Sequence, residues 1–180
     1  MSGIEPGDSA PTFSLNNANT TVGGETVSLD DVMGENGVIV AFECNHCPYV
    51  IASIDRMNKM CTRSAEMGIG FVGINSNNAA MYPDDSFENM VKRAEKGMPY
   101  SYLHDETQEV ATEWGAERTP EFFLINSEGI VVYKGRLDNS PRDPTQASTS
   151  ELQDAVDALL MGAEITNPRT SSIGCSIKWK

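Results

Sequence analysis

A continuous apolar run that leads straight into two cysteines is the feature that most constrains this chain. Gly37-Val38-Ile39-Val40-Ala41-Phe42 carries no polar side chain, the pattern of a short strand covered on both faces. A helix is expected next, from about Cys47 or Pro48 to Met67. Val50, Ile54, Met57 and Cys61 step by four, three and four residues and form one stripe. Pro48 suits a first turn, where its missing N–H costs nothing, and Gly68 ends the helix. Ile69-Gly70-Phe71-Val72-Gly73-Ile74 reads as a second buried strand, giving a β-α-β unit.

The same reading continues along the chain. A helix is expected from the capping-box-like Asp85-Ser86-Phe87-Glu88, carrying Phe87, Met90, Val91 and Ala94 before Gly97. A short one follows, with Asp105 and Gln108 at its start and Val110, Ala111 and Trp114 on its stripe. Strands are expected at Glu121 to Ile125 and Ile130 to Tyr133, joined through Asn126-Ser127-Glu128-Gly129 as a hairpin. The last helix begins around Ser148 to Glu151, buries Leu152, Ala155, Val156, Leu159 and Leu160, and stops at Gly162. Residues 1–37 read as an N-terminal extension with a small hairpin, and 163–180 as a C-terminal tail, within a single domain spanning 1–180. The order predicts an α/β fold with a central mixed β-sheet flanked by helices.

With 39% hydrophobic residues, the 180-residue chain can bury a core without disulfides or metals. Its net charge of −13 repels phosphate backbones and anionic lipid, so neither nucleic acid nor a membrane is an expected partner. The stretch Met1 to Asp8 has no basic residue and no apolar segment, and Val38 to Phe42 is too short to span a bilayer. A cytoplasmic protein is therefore expected. Four cysteines make no disulfide scaffold at this length, and their spacing points to redox or metal chemistry.

Cys44-Asn45-His46-Cys47 stands where the first buried strand hands over to the first long helix. A helix N-terminus presents unpaired N–H groups and partial positive charge, so a thiolate at Cys44 is expected to fall below the free-thiol value of about 8.5. Two intervening residues bring Cys47 within reach of a mixed disulfide made by Cys44, and protonated His46 adds a cation beside both. The competing reading is half a zinc site, for which Cys61, Cys175 and His104 are available without a second close pair. Cys61 lies fourteen residues beyond Cys47, about 21 Å further along an intact helix, and reads as core. Cys175 lies in a non-periodic tail that can fold back over the pair, as a third redox thiol or a structural residue. His104 reads as a loop or cap residue, and Trp114 and Trp179 as packing.

The chain resembles the thioredoxin-like superfamily, in its redoxin branch related to alkyl hydroperoxide reductase and thiol-specific antioxidant proteins. The resemblance is carried by Gly7-Asp8-Ser9-Ala10-Pro11-Thr12-Phe13-Ser14-Leu15, by Phe42-Glu43-Cys44-Asn45-His46-Cys47-Pro48-Tyr49-Val50, and by Thr119-Pro120-Glu121-Phe122. The hairpin through Gly129 and Tyr133 and the ending Gly174-Cys175-Ser176-Ile177-Lys178-Trp179 continue it. It implies a thioredoxin-like fold, with Cys44 as attacking thiol, Cys47 as resolving thiol and Pro120 as a cis-proline facing the disulfide. Thr119 would supply backbone that pairs with a bound polypeptide. No bound cofactor or metal is implied; partners would be protein or small-molecule disulfides and thiols, with a dithiol electron donor.

Several positions depart from that pattern. Thioredoxins proper have Trp before the first cysteine and Gly-Pro between the two, where this chain has Glu43 and Asn45-His46; their buried acid falls on Val38. Glu43 can substitute for that acid or point to solvent. The peroxiredoxin pattern Pro-x-x-x-Thr-x-x-Cys, aligned on Cys47, meets Val40 and Cys44 at its Pro and Thr positions. Arg118 is the residue available to orient a peroxide. The function expected is thus a thiol–disulfide oxidoreductase with Cys44 solvent-facing and Cys47 shielded. The alternatives are a thiol peroxidase and a copper- or zinc-binding module using Cys44, Cys47 and His46 or Cys175.

Overall fold

The computed structural model describes residues 3–180; Met1 and Ser2, the first residues of the expected N-terminal extension, lie outside them. The β-α-β unit forms as β3 (Gly37–Phe42), α2 (Pro48–Glu66) and β4 (Ile69–Asn75), with β3 and β4 parallel and Val40 opposite Val72. Alternation explains why β3 is apolar throughout. Val38, Val40 and Phe42 enter the core on one face of the sheet, and Ile39 and Ala41 enter the core on the other.

Beyond β4 come α3 (Phe87–Ala94), β5 (Ser101–His104), α4 (Glu109–Trp114), β6 (Arg118–Thr119), β7 (Glu121–Asn126), β8 (Val131–Gly135), α5 (Glu151–Leu160) and β9 (Cys175–Ser176). Ser86 caps α3 by accepting from the Asn89 N–H, while Asp85 sits before the helix in a 3-10 turn, Pro83–Asp85. Asp105 opens α4 by accepting from the Val110 and Ala111 N–H groups.

Residues up to 37 do more than extend the domain. Their hairpin, β1 (Ser14–Asn17) and β2 (Thr26–Ser28), is followed by α1 (Leu29–Val32) and joins the main sheet through β5. The seven strands run β2-β1-β5-β4-β3-β7-β8, a mixed sheet. α2, α3 and α5 pack on one face around Val50, Met57, Met90, Leu152 and Val156. α1 and α4 cover the other, where Trp114 meets Phe13, Phe42 and Phe123. The tail is also tied down: β9 pairs antiparallel with β6 and Ile177 is buried in the second face. His104 ends a strand rather than a loop, and Trp179 is exposed rather than packed. Among the described residues, no helix is long and apolar enough to cross a membrane.

Candidate active site around the Cys44-Asn45-His46-Cys47 turn

The two cysteines occupy the turn between β3 and α2. Cys47 is the N-cap of α2, Pro48 follows in the first turn, and the first helical bond runs from the Ile51 N–H to the Cys47 carbonyl. The helix therefore starts at the second cysteine, and its unpaired N–H groups serve Cys47 more than Cys44. Both are buried, at 1% and 0% exposure, which corrects the expectation of a solvent-facing Cys44. Thr119 touches both, with its hydroxyl 3.5 Å from Cys44 Sγ and its carbonyl 3.5 Å from Cys47 Sγ. The Thr119–Pro120 peptide bond is cis.

The sulfurs share one proton. Cys47 is held down to about 4, first because the Cys44 S–H donates to it and, against the cost of burial, because the Cys175 thiol and the Val50 and Cys175 N–H groups also donate. The Thr119 carbonyl works the other way, as one acceptor against four donors. Cys44 is pushed well above the thiol range by that same hydrogen bond, by burial and by the Asp85 charge. The lowered thiol is thus Cys47, not the Cys44 expected from the motif. Cys61 is core, with its thiol at the Pro99 carbonyl and pushed up to about 11 by burial.

Cys175 does fold back. Opposite Thr119 in the β6–β9 pair, it is half-buried and its thiol hydrogen-bonds Cys47. Burial first, then the hydrogen bond to Cys47 and the Cys47 charge, push it up to about 11.

Glu43 points inward, at 0% exposure. Its carboxylate is paired with Arg93 at 2.6 Å and accepts from the Tyr100 hydroxyl at 2.7 Å. Gly73 makes room for it, since a Cβ there would stand 2.5 Å from Glu43 Oε2. Arg93 also donates to the Cys44 carbonyl and to Tyr102 Oη, both at 3.2 Å, and the Tyr102 hydroxyl donates to Asn45 Oδ1 at 2.7 Å. Neither Arg93 nor these tyrosines stood out in the sequence.

Asp85 is the other residue the motif did not reveal. Fully buried, it accepts from the Asn45 N–H at 2.6 Å and from the Asn75 and Asn77 amides, and it is paired with His46 Nδ1. The His46 ring lies parallel to Tyr82 at 5.6 Å. Cys44 Sγ, a His46 ring nitrogen and an Asp85 oxygen fall within 4.8 Å of one another, a spacing open to a metal. Asp85, however, already accepts from four donors, His46 among them, which a cation would have to displace. Arg118 is exposed, and its guanidinium donates to the Gly174 carbonyl at 3.0 Å.

The redoxin family model matches residues 5–154. A conserved protein of uncharacterised function from Geobacillus kaustophilus is 41% identical, with TM-score 0.89 over 97% of this chain and 92% of that one. A hypothetical protein from Sinorhizobium meliloti 1021 is 34% identical, with TM-score 0.89 over 99% and 96%. The thioredoxin domain of a thiol-disulfide oxidoreductase from Bacteroides vulgatus shares the fold at 18% identity, with TM-score 0.60 over 79% and 96%. No curated protein matches the chain. A β3–α2–β4 frame with two cysteines at its helix start and Thr119 against both sulfurs thus agrees with the family match over most of the sequence, and the chain belongs to the redoxin family, with a thioredoxin-like fold.

Proposed function

We propose that the protein is a thiol–disulfide oxidoreductase whose working centre is the Cys44–Cys47 dithiol/disulfide pair. The observation that carries this reading is geometric: two cysteines stand at the start of α2, and Thr119, before a cis-proline, lies 3.5 Å from each sulfur. Cys47 takes the attacking role that the resemblance gave to Cys44. Its thiolate displaces one sulfur of a substrate disulfide, which leaves as a thiolate and takes up a proton. Cys44 then gives up its proton and attacks Cys47 in the mixed disulfide, releasing the second substrate thiolate. The substrate disulfide gains two electrons, and a dithiol donor later returns the pair to its reduced form. The name of the Bacteroides neighbour, a thiol-disulfide oxidoreductase, is consistent with this chemistry.

A thiol peroxidase is the second reading. Its support is that the thiolate stands at Cys47, where the peroxiredoxin alignment puts the attacking sulfur. Purified reduced protein assayed in parallel for insulin-disulfide reduction and hydrogen peroxide consumption separates the two, with zinc and copper measured on the same sample. The expected result is disulfide turnover that falls at least 100-fold in Cys47→Ser, with background peroxide consumption. Peroxide turnover that survives Cys44→Ser would replace this reading with the peroxidase. One bound zinc or copper per chain, lost in Cys44→Ser, would replace it with the metal module.

A further inference from the structure

The segment after Gly174 lies on the strand edge that the resemblance reserved for a polypeptide substrate. Arg118 and Thr119 pair antiparallel with Ser176 and Cys175, and the Ile177 N–H donates to the Glu117 carbonyl. The approach is close because residue 174 has no side chain, since a Cβ there would stand 2.0 Å from the Thr119 carbonyl oxygen. Past the strand, Ile177 is buried and the Lys178 backbone is held by Asn77, Asn78 and Gln108. This strap is a fitted element, and it sets a cysteine against Cys47 as an incoming substrate cysteine would be set. The inner two sulfurs are shut away, whereas Cys175 is half-buried. Thr119, opposite Cys175 in the ladder, stands 3.5 Å from both Cys44 Sγ and Cys47 Sγ, and Cys47 is hydrogen-bonded by both of the other thiols.

We propose that Cys175 is a third redox thiol, through which the buried pair exchanges disulfides with outside thiols, Cys47 switching its partner between Cys44 and Cys175. This rests on the dithiol reading above. Starting from the Cys44–Cys47 disulfide, the Cys175 thiolate attacks Cys47 Sγ; the Cys47–Cys175 bond forms, and Cys44 leaves as a thiolate and takes up a proton. No electrons are gained or lost in that exchange. An external dithiol then attacks Cys175, Cys47 leaves as its stabilised thiolate, and the donor's second thiol completes the two-electron reduction while the donor becomes a disulfide. Oxidation by the substrate disulfide remains the direct attack of Cys47 given above. The thiolate Cys175 needs for the first step is easier to form in the oxidised protein, because Cys47, one cause of its raised value, then carries no charge; Lys178 and Arg142 remain to favour it.

The test uses full-length wild type, Cys44→Ser and Cys175→Ser, each equilibrated in a mixture of reduced and oxidised glutathione, acid-quenched, alkylated and mapped by non-reducing peptide mass spectrometry. Cys44→Ser is expected to hold an internal Cys47–Cys175 disulfide in most chains. Cys175→Ser is expected to form Cys44–Cys47 but to be reduced by dithiothreitol at least tenfold more slowly than wild type. The relay is overturned if Cys44→Ser carries glutathione on Cys47 beside a free Cys175, or if Cys175→Ser is reduced as fast as wild type or faster. Failure of the dithiol reading looks different: no Cys44–Cys47 disulfide forms in wild type or in Cys175→Ser, and the relay falls with it.

Discussion

The two cysteines are three positions apart, yet the molecule treats their surroundings in opposite ways. On the Cys44 side, Glu43, Arg93, Tyr100, Tyr102, Asn45 and Asp85 form a buried polar web whose members reach from four separate parts of the chain. On the Cys47 side stands a strap with a two-residue ladder, one close glycine contact, one buried isoleucine and hydrogen bonds between its backbone and Asn77, Asn78 and Gln108. Interlocked buried charges open only at high cost, whereas a short edge pairing with few apolar contacts opens locally. One side of the dithiol is a fixed wall, the other a cover.

Breaking the wall has the largest expected effect. Arg93→Ala leaves the Glu43 carboxylate uncompensated at 0% exposure, and removing one partner of a buried pair costs about 3–5 kcal/mol. Urea denaturation of the variant should show a loss of that size, and Glu43→Leu with Arg93→Met should recover most of it. A loss under about 1 kcal/mol, the range of an exposed pair, would mean that the web does not brace the site.

Acid tests the sulfur between wall and cover. Cys47 is depressed in the folded protein to about 4, against an unfolded value of about 8.5. Between those values the unfolded chain binds one more proton, so the thiolate's contribution is complete above the unfolded value and is lost as pH falls toward the folded one. The stability gap between reduced wild type and Cys47→Ser should therefore narrow from pH 8 to pH 5, by at most ~1.4 kcal/mol per unit. A gap that stays flat would place the thiolate elsewhere.

Lifting the cover should cost less. Gly174→Ala sets a methyl 2.0 Å from the Thr119 oxygen and is expected to detach the strap, giving up the burial of Ile177 for about 1.5–3 kcal/mol. Iodoacetamide should then label Cys44 and Cys47 at least tenfold faster than in wild type, followed by peptide mass spectrometry. Unchanged labelling would show that the strap is not what closes the pair.

The contrast also explains what could be read from the sequence. β3, α2 and β4 follow from unbroken apolar runs and a four-three-four stripe, and the cysteine motif is contiguous, so both were visible. β5 was not, because Ser101–His104 is too short to show a period and owes its pairing to β4 and β1. The place of β1 beside β5 depends on Asn17, whose side chain accepts from the Tyr102 N–H, a contact between residues 85 positions apart. The wall was hidden for the same reason. Asp85 looks like a helix-start residue and Arg93 like a helix-end cation until folding brings them to His46 and Glu43, 39 and 50 positions away. Cys175 carried only the hint of a cysteine in an aperiodic tail.

The smallest expected effect concerns the boundary of the wall, where His46 meets Asp85. Read from the sequence, a cationic His46 stabilises a thiolate and raises the potential above thioredoxin's value of roughly −270 mV. In the folded protein the ring nitrogen faces a buried carboxylate whose charge opposes ionisation of Cys44. His46→Ala therefore leaves that charge unscreened beside the reduced pair, repels the single negative charge the two sulfurs carry between them, disfavours the reduced form and lowers the potential. Adding Asp85→Asn removes the charge and should raise the potential back toward wild type. Each step is expected at about 30 mV, the ~1.4 kcal/mol equivalent for two electrons and the scale of one charge-assisted hydrogen bond. Glutathione titration of wild type, the single variant and the double variant reads all three on one scale. A higher potential in His46→Ala would show that the histidine acts through Asp85 in the opposite sense, and three equal potentials would make the pair part of the wall alone, bracing the turn without tuning its sulfurs.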